Sequence, residues 1–273
     1  MRSDIHFRLV GGDQPLIVIP ARFNDSEPIL CALDTGASHA MLLPELGARL
    51  GIRAESTHEA KGAGGPIQVG MGRAGSIALG EALVRDVPVI MTDDFRRIGS
   101  AIGLALGGNI GHNVLEHFRL TVDYASATLT LESPDEPVAN TPARATLPFT
   151  LAHPSKPLLM LPVQIHDRPF QFALDTGAST TVISPEVARQ CEVESMAMPD
   201  MTGGGGTVTA SSGVVRSLAI GQTRISRVRV AVADFLEMLT LATGTRIDGI
   251  LGTNVLRRYR VTIDFPARML RLE

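Results

Sequence analysis

The sequence predicts an all-β chain with a few short helices, folded as two equivalent lobes. Three observations predict it. The heptapeptide Ala32-Leu33-Asp34-Thr35-Gly36-Ala37-Ser38 returns as Ala173-Leu174-Asp175-Thr176-Gly177-Ala178-Ser179. The same offset of 141 positions aligns much of the remaining chain, which marks an internal duplication too long to be a solenoid unit. Between the repeated landmarks, short runs of β-favouring residues are separated by Gly, Pro and Asp.

Taken in order, Pro28-Ile29-Leu30-Cys31 and its counterpart Pro169-Phe170-Gln171-Phe172 read as strands that lead into the repeated turn, and Met41-Leu42-Leu43 and Thr181-Val182-Ile183 as strands that leave it. Gly36 and Gly177 are expected to permit a positive φ there. Pro44–Leu50 and Pro185–Cys191 each open with Pro at a suitable first helical position. Gly62-Ala63-Gly64-Gly65 aligns with Gly203-Gly204-Gly205-Gly206, and Ile67–Val69, Ile77–Leu79 and Val87–Ile90 read as strands with partners in the second half. Ile110–Leu115 aligns with Leu251–Leu256, followed by short helices over Val114–Phe118 and Val255–Tyr259 and closing hairpins at 119–131 and 260–272. Asp93, Asp94, Asp123 and Asp264 read as strand-end or turn residues. Lobe one is assigned to 1–132, a Pro-rich polar linker to 133–144 and lobe two to 145–273, each lobe with its own small core.

Composition narrows the function. A chain of 273 residues with 44% hydrophobic and 19% charged residues is ordinary for a soluble globular protein and long enough for a sizeable core. A net charge of −3, with no basic run, leaves no footprint for nucleic acid. No apolar run approaches the roughly 18 residues of a membrane helix, and Met1–Leu16 lacks the basic start and apolar stretch of a signal peptide. As written, the chain suits the cytoplasm. A leader removed from a longer precursor would instead mean the periplasm or secretion, so localisation stays open. The seven histidines form no metal-ligand pattern, and no cofactor is expected. Cys31 and Cys191 align with the apolar Phe172 and Leu50, which points to buried free thiols rather than a disulfide or a nucleophile.

The doubled Asp-Thr-Gly, the Gly-rich hairpin downstream of each copy and the later apolar-apolar-Gly resemble the aspartic proteases over nearly the whole chain. Ala37, Ala178 and the Gly-Xaa-Asn runs Gly111-His112-Asn113 and Gly252-Thr253-Asn254 are similar to the retropepsin-like branch. Two lobes in one chain, with Asp248-Gly249-Ile250-Leu251-Gly252, are similar to the pepsin-like branch. In lobe one Asn109 departs from this pattern, standing where Ile250 stands in lobe two.

The resemblance implies two β-barrel lobes with the active site in the cleft between them, and an endopeptidase that acts on a peptide or protein substrate as a monomer. Asp34 and Asp175 would be catalytic and share one proton near neutral pH, because like charges so close do not both ionise easily. Which of them carries it is a property of the pair that the sequence leaves open. Thr35 and Thr176 would lock the turns together across the lobes, and Gly36 and Gly177 would let backbone N–H groups approach the carboxylates. Ser38 and Ser179 would orient the outer carboxylate oxygens. Gly62, Ala63, Gly64 and Gly65 with Gly203, Gly204, Gly205 and Gly206 would form flaps over substrate. Ala37 and Ala178, where pepsin-like enzymes commonly carry a hydroxyl, imply a mildly acidic to neutral optimum. The alternative is a catalytically silent peptide-binding protein that kept the fold.

Overall fold

Six strands drawn equally from the two ends of the repeat hold the halves together. In the computed structural model, which describes residues 1–137 and 142–273, they run in the order Arg2–His6, Thr128–Glu132, Arg119–Asp123, Arg260–Asp264, Met269–Leu272, Ala145–Pro148. The central pairing joins Arg119–Asp123 to Arg260–Asp264 antiparallel, with Thr121 opposite Thr262. Their hydroxyls meet at 2.9 Å, so an approximate two-fold axis passes between them. The repeat thus folds as two related halves, as the internal offset predicts.

Each half then forms an eight-stranded sheet that closes on itself. In lobe one Leu16–Phe23 pairs with Ile29–Leu33 on one side and, through Arg22 and Phe23, with Gly65–Leu79 on the other. In lobe two Lys156–Ile165 does the same with Arg168–Leu174 and Ser211–Ile220. Closure is written in the residue pattern. Ile17, Ile19, Ala21 and Phe23 turn inward from one strand, and Leu159, Leu161, Val163 and Ile165 from its counterpart, as period-two alternation requires. Burying a side chain such as Phe23 or Phe172, both fully enclosed, contributes about 1.5–3 kcal/mol.

The cores differ from expectation. One apolar cluster runs from Ile5 and Phe23 of lobe one, through Leu120, Leu131 and Ile263 of the shared sheet, to Phe172 and Leu256 of lobe two. Separate small clusters exist, around Val18, Leu43 and Phe95 in lobe one and around Met160, Leu236 and Ile250 in lobe two, but they are secondary. The shared sheet is the reason: its apolar face covers both barrels at once. Of the expected linker, Val138, Ala139, Asn140 and Thr141 lie outside the described residues. Cys31 and Cys191 are buried and unbridged, and burial pushes the Cys31 thiol well above its ordinary range, away from thiolate chemistry.

Among the described residues, six short helices punctuate the barrels. Helix α1 (Pro44–Arg49) is followed by α2 (Asp94–Ile102), α3 (His112–Leu115), α4 (Pro185–Gln190), α5 (Phe235–Thr243) and α6 (Thr253–Leu256). The Pro-led pair α1 and α4 match expectation, and Ser184 caps α4 by accepting from the Val187 N–H. Helices α3 and α6 start two residues earlier than the Val114–Phe118 and Val255–Tyr259 expected, because Gly111 and Gly252 are extended and the helical turn begins directly after them.

Helices α2 and α5 have no counterpart in the sequence expectations. Phe95, Ile98 and Ile102 give α2 an apolar stripe, and Gly103 ends it in the left-handed region at φ 68°; Gly244 ends α5 at φ 66°. Asp94 is therefore not a strand-end residue but a buried first-turn helix residue. Asp123 and Asp264 do sit at turns, where Asp123 accepts from the Ala125 and Ser126 N–H groups and Asp264 from the Ala267 N–H.

Candidate active site

The strand Ile29–Leu33 delivers Asp34 to the junction of the lobes, and Arg168–Leu174 delivers Asp175. Each strand is flanked in parallel by a three-residue strand, Gly108–Ile110 or Gly249–Leu251. The Asp34 N–H donates to Ile110 O at 3.1 Å and the Asp175 N–H to Leu251 O at 3.0 Å, so both turns leave their strands in the same way. Asn113 and Asn254 of the Gly-Xaa-Asn runs fix the returning chain. Asn113 Oδ1 accepts from Ala40 N–H and its Nδ2 donates to Pro88 O, and Asn254 repeats this with Thr181 and Arg229.

Four hydrogen bonds lock the turns to each other across the lobes. The Thr35 N–H donates to Thr176 Oγ1 at 3.1 Å and the Thr176 N–H to Thr35 Oγ1 at 3.0 Å. Thr35 Oγ1 donates to Leu174 O and Thr176 Oγ1 to Leu33 O, at 3.2 and 2.9 Å. Both threonines are buried, so these bonds act with little competition from water.

Neither Gly36 nor Gly177 has a positive φ. The requirement for glycine is close approach. A Cβ on Gly36 would lie 2.5 Å from Asp175 Oδ2, and one on Gly177 would lie 2.7 Å from Asp34 Cγ. Each glycine is thus the floor on which the opposite carboxyl rests. Gly36 and Ala37 N–H both donate to Asp34 Oδ1 at 3.0 Å, and Gly177 N–H to Asp175 Oδ1 at 2.7 Å. The two carboxyls lie within hydrogen-bonding reach of one another, half-buried. Burial raises both above the ordinary carboxylate range, and the neighbouring charge of Asp34 helps push Asp175 up to about 8.

The serines do not sit as expected. Ser38 Oγ bonds to Nδ1 of the adjacent His39 at 2.9 Å, and among the described residues no hydrogen bond joins Ser179 to Asp175. The outer oxygen of Asp34 is instead reached by Asn109, whose Nδ2 donates to Oδ2 at 3.2 Å. The sequence showed Asn109 only as a departure from an apolar pattern; its polarity beside Asp34 was the available signal.

The Gly-rich segments of the two lobes meet each other. Gly62 pairs with Gly65, and Gly203 with Gly206, so Ala63-Gly64 and Gly204-Gly205 form the hairpin tips. The Gly64 N–H donates to Gly204 O at 2.8 Å, and the tips pack too closely for side chains at Gly62, Gly64 or Gly205. Asp94 and Arg97 of α2 hold the lobe-two tip. Gly205 N–H donates to Asp94 Oδ2 at 2.9 Å, and Arg97 donates to both Asp94 Oδ1 and Gly203 O. The equivalent positions of lobe two carry Phe235 and Met238, so this tie exists on one side of the molecule. In Asp94→Ala the Gly205 amide is expected to exchange with solvent deuterium about tenfold faster, the low end for a bond to a charged acceptor. Unchanged exchange would mean that the tie does not restrain the tip.

Two barrel lobes, each presenting an Asp-Thr-Gly turn to the other, define the aspartyl protease class. Residues 19–110 and 161–255 each match the family profile described as aspartyl protease, and the chain belongs to that family. It is similar to DNA damage-inducible protein 1 of Neurospora crassa, 27% identical over 113 residues, which is 41% of this chain and 24% of that protein. The protein of the same name from Cryptococcus neoformans is 26% identical over 115 residues, 42% of this chain and 25% of the relative. The chain spans about a quarter of the length of these curated relatives. No helix among the described residues is long and apolar enough to cross a membrane.

Proposed function

We propose that the protein is an aspartic endopeptidase in which Asp34 and Asp175 activate water. The observation that carries this reading is the juxtaposition of the two carboxyls at the lobe junction, each held by its own turn and by the opposite glycine. The ionised carboxylate takes a proton from water as its oxygen attacks the scissile carbonyl carbon. The protonated carboxyl gives its proton to the carbonyl oxygen. The resulting gem-diol then collapses, returning a hydroxyl proton to one carboxylate while the other carboxyl protonates the leaving nitrogen, and the C–N bond breaks. The flap tips Gly62–Gly65 and Gly203–Gly206 offer backbone rather than bulky side chains, which suits an extended peptide bound by main-chain hydrogen bonds. The lobes are taken as 1–132 and 145–273, joined by 133–144.

Cleavage of a peptide library, with and without a hydroxyl-bearing mimic of the tetrahedral intermediate, tests the reading. Cleavage blocked by the mimic is expected. Tight binding of the mimic and of peptides without any cleavage would instead identify a silent peptide-binding protein.

One chain supplies both carboxyls, so the active species is expected to be a monomer. Specific activity should stay constant on dilution while light scattering reports a mass near 29.0 kDa. Activity lost in step with dissociation of a larger species would overturn this.

A further inference from the structure

The surroundings of the two carboxyls match almost group for group. Each aspartate sends its N–H to the carbonyl at the end of the flanking strand, and each Oδ1 accepts from the glycine two residues on. The threonines interlock reciprocally. The flanking strands break the match at their central residue. Asn109 pairs with Ala32 in lobe one, and Ile250 pairs with Ala173 in lobe two.

We propose that Asn109 is a positioning residue that breaks the symmetry of the pair, holding Asp34 as the ionised base and leaving Asp175 as the acid that carries the proton. This inference rests on the proposed endopeptidase reading for its kinetic consequence, though not for the ionisation order itself.

Asp34 receives N–H groups on both oxygens, from Gly36 and Ala37 on Oδ1 and from Asn109 on Oδ2. Donors favour the charged form of a carboxyl. Ile250 has no donor to give Asp175 and belongs to an apolar cluster with Met160, Ala173 and Val182. Apart from one another, the two carboxyls are met by the amides of Gly36, Ala37, Gly177 and Ala178 and by the Asn109 side chain. Burial raises both carboxyls, while the Asn109 bond acts to lower Asp34 and the Asp34 charge acts to raise Asp175.

The Asn109 amide is itself informative. The residue is 1% exposed, and its Oδ1 has no hydrogen-bond partner among the described residues. A buried asparagine kept for the fold would be expected to satisfy both ends of its amide; here the satisfied end is the one on Asp34.

The test combines carboxyl carbon titration by NMR with pH profiles of kcat/KM. In the wild type, the Cγ resonance of Asp34 is expected to record the first ionisation and that of Asp175 the second. In Asn109→Ile the acid limb of the profile should move upward by about one to two pH units, the scale set by a hydrogen bond to a charged group. In the exchanged variant Asn109→Ile/Ile250→Asn, the first ionisation should pass to Asp175. A role confined to packing would shift none of these.

Asp175 ionising first in the wild type would overturn the inference, as would an acid limb that stays in place in a folded, active Asn109→Ile. The wild-type titration needs no variant and no turnover. Absence of hydrolysis in the wild type would therefore count against the endopeptidase reading alone, and a wrong ionisation order would count against Asn109 alone.

Discussion

Asp34→Asn and Asp175→Asn are each expected to lose about 10²–10⁴-fold or more in kcat/KM, the range that a single acid or base contributes. In the proposed mechanism, an asparagine at 34 could not take the proton from water, and one at 175 could not give a proton to the carbonyl oxygen. Stability should move the other way for Asp175→Asn. The folded state holds on Asp175 a proton that the unfolded chain releases above about pH 4, because burial and the Asp34 charge raise the folded value to about 8. The stability associated with that proton is fully present below the unfolded value and is lost as pH rises through about 8. A neutral asparagine does not incur that loss, so at neutral pH the variant should be more stable than wild type by on the order of a few kcal/mol and melt at a higher temperature. Turnover assays and thermal melts across pH 4–8 check both halves. Near wild-type turnover in either variant would remove the pair from the mechanism. A melting curve for Asp175→Asn no higher than wild type at pH 7 would show that the half-buried carboxyl carries no such cost.

Much of this architecture was legible because the duplication repeats local chemistry. Turn residues after β runs, Pro at the start of α1 and α4, and the closing hairpins are determined within a few residues, and finding them twice fixed the pairing of the halves. What escaped depends on contacts between residues remote in sequence. The reason for Gly36 is Asp175, which lies across the lobe junction, so a local rule about φ supplied the wrong cause. The Ser38 hydroxyl was diverted by its neighbour His39, a competition that family resemblance does not reveal. Asn109 looked like a blemish in an apolar strand until the parallel pairing of Gly108–Ile110 placed it beside Asp34. Helix α2 did carry a readable signal, with acidic residues, Phe95, Ile98 and Ile102 in helical spacing and a terminal Gly103, but its attachment to the Gly-rich tip of the other lobe could come only from the fold.

The same distinction between side-chain and backbone partners sets the second large effect. Thr176→Val keeps shape but strips the acceptor from the Thr35 N–H and the donor from Leu33 O, both in the buried lobe junction. Those backbone groups cannot be mutated away. At about 1–3 kcal/mol for each of the two buried groups left unpaired, the variant should lose about 2–6 kcal/mol, and Thr35→Val should behave alike through Thr176 N–H and Leu174 O. The pair Thr121 and Thr262 is the internal comparison. Their contact also crosses the lobes, but it joins hydroxyl to hydroxyl, so Thr121→Val/Thr262→Val removes donor and acceptor together and should be nearly neutral. Urea unfolding of the two double-valine variants separates the cases, because the area exposed on unfolding, and hence the slope, is unchanged. Equal midpoints for Thr35→Val/Thr176→Val and Thr121→Val/Thr262→Val would mean that the reciprocal threonine bonds contribute no more than an ordinary hydroxyl contact. If the first midpoint falls while the second holds, the turns that carry Asp34 and Asp175 are clamped by backbone groups that a side-chain hydroxyl at each position satisfies.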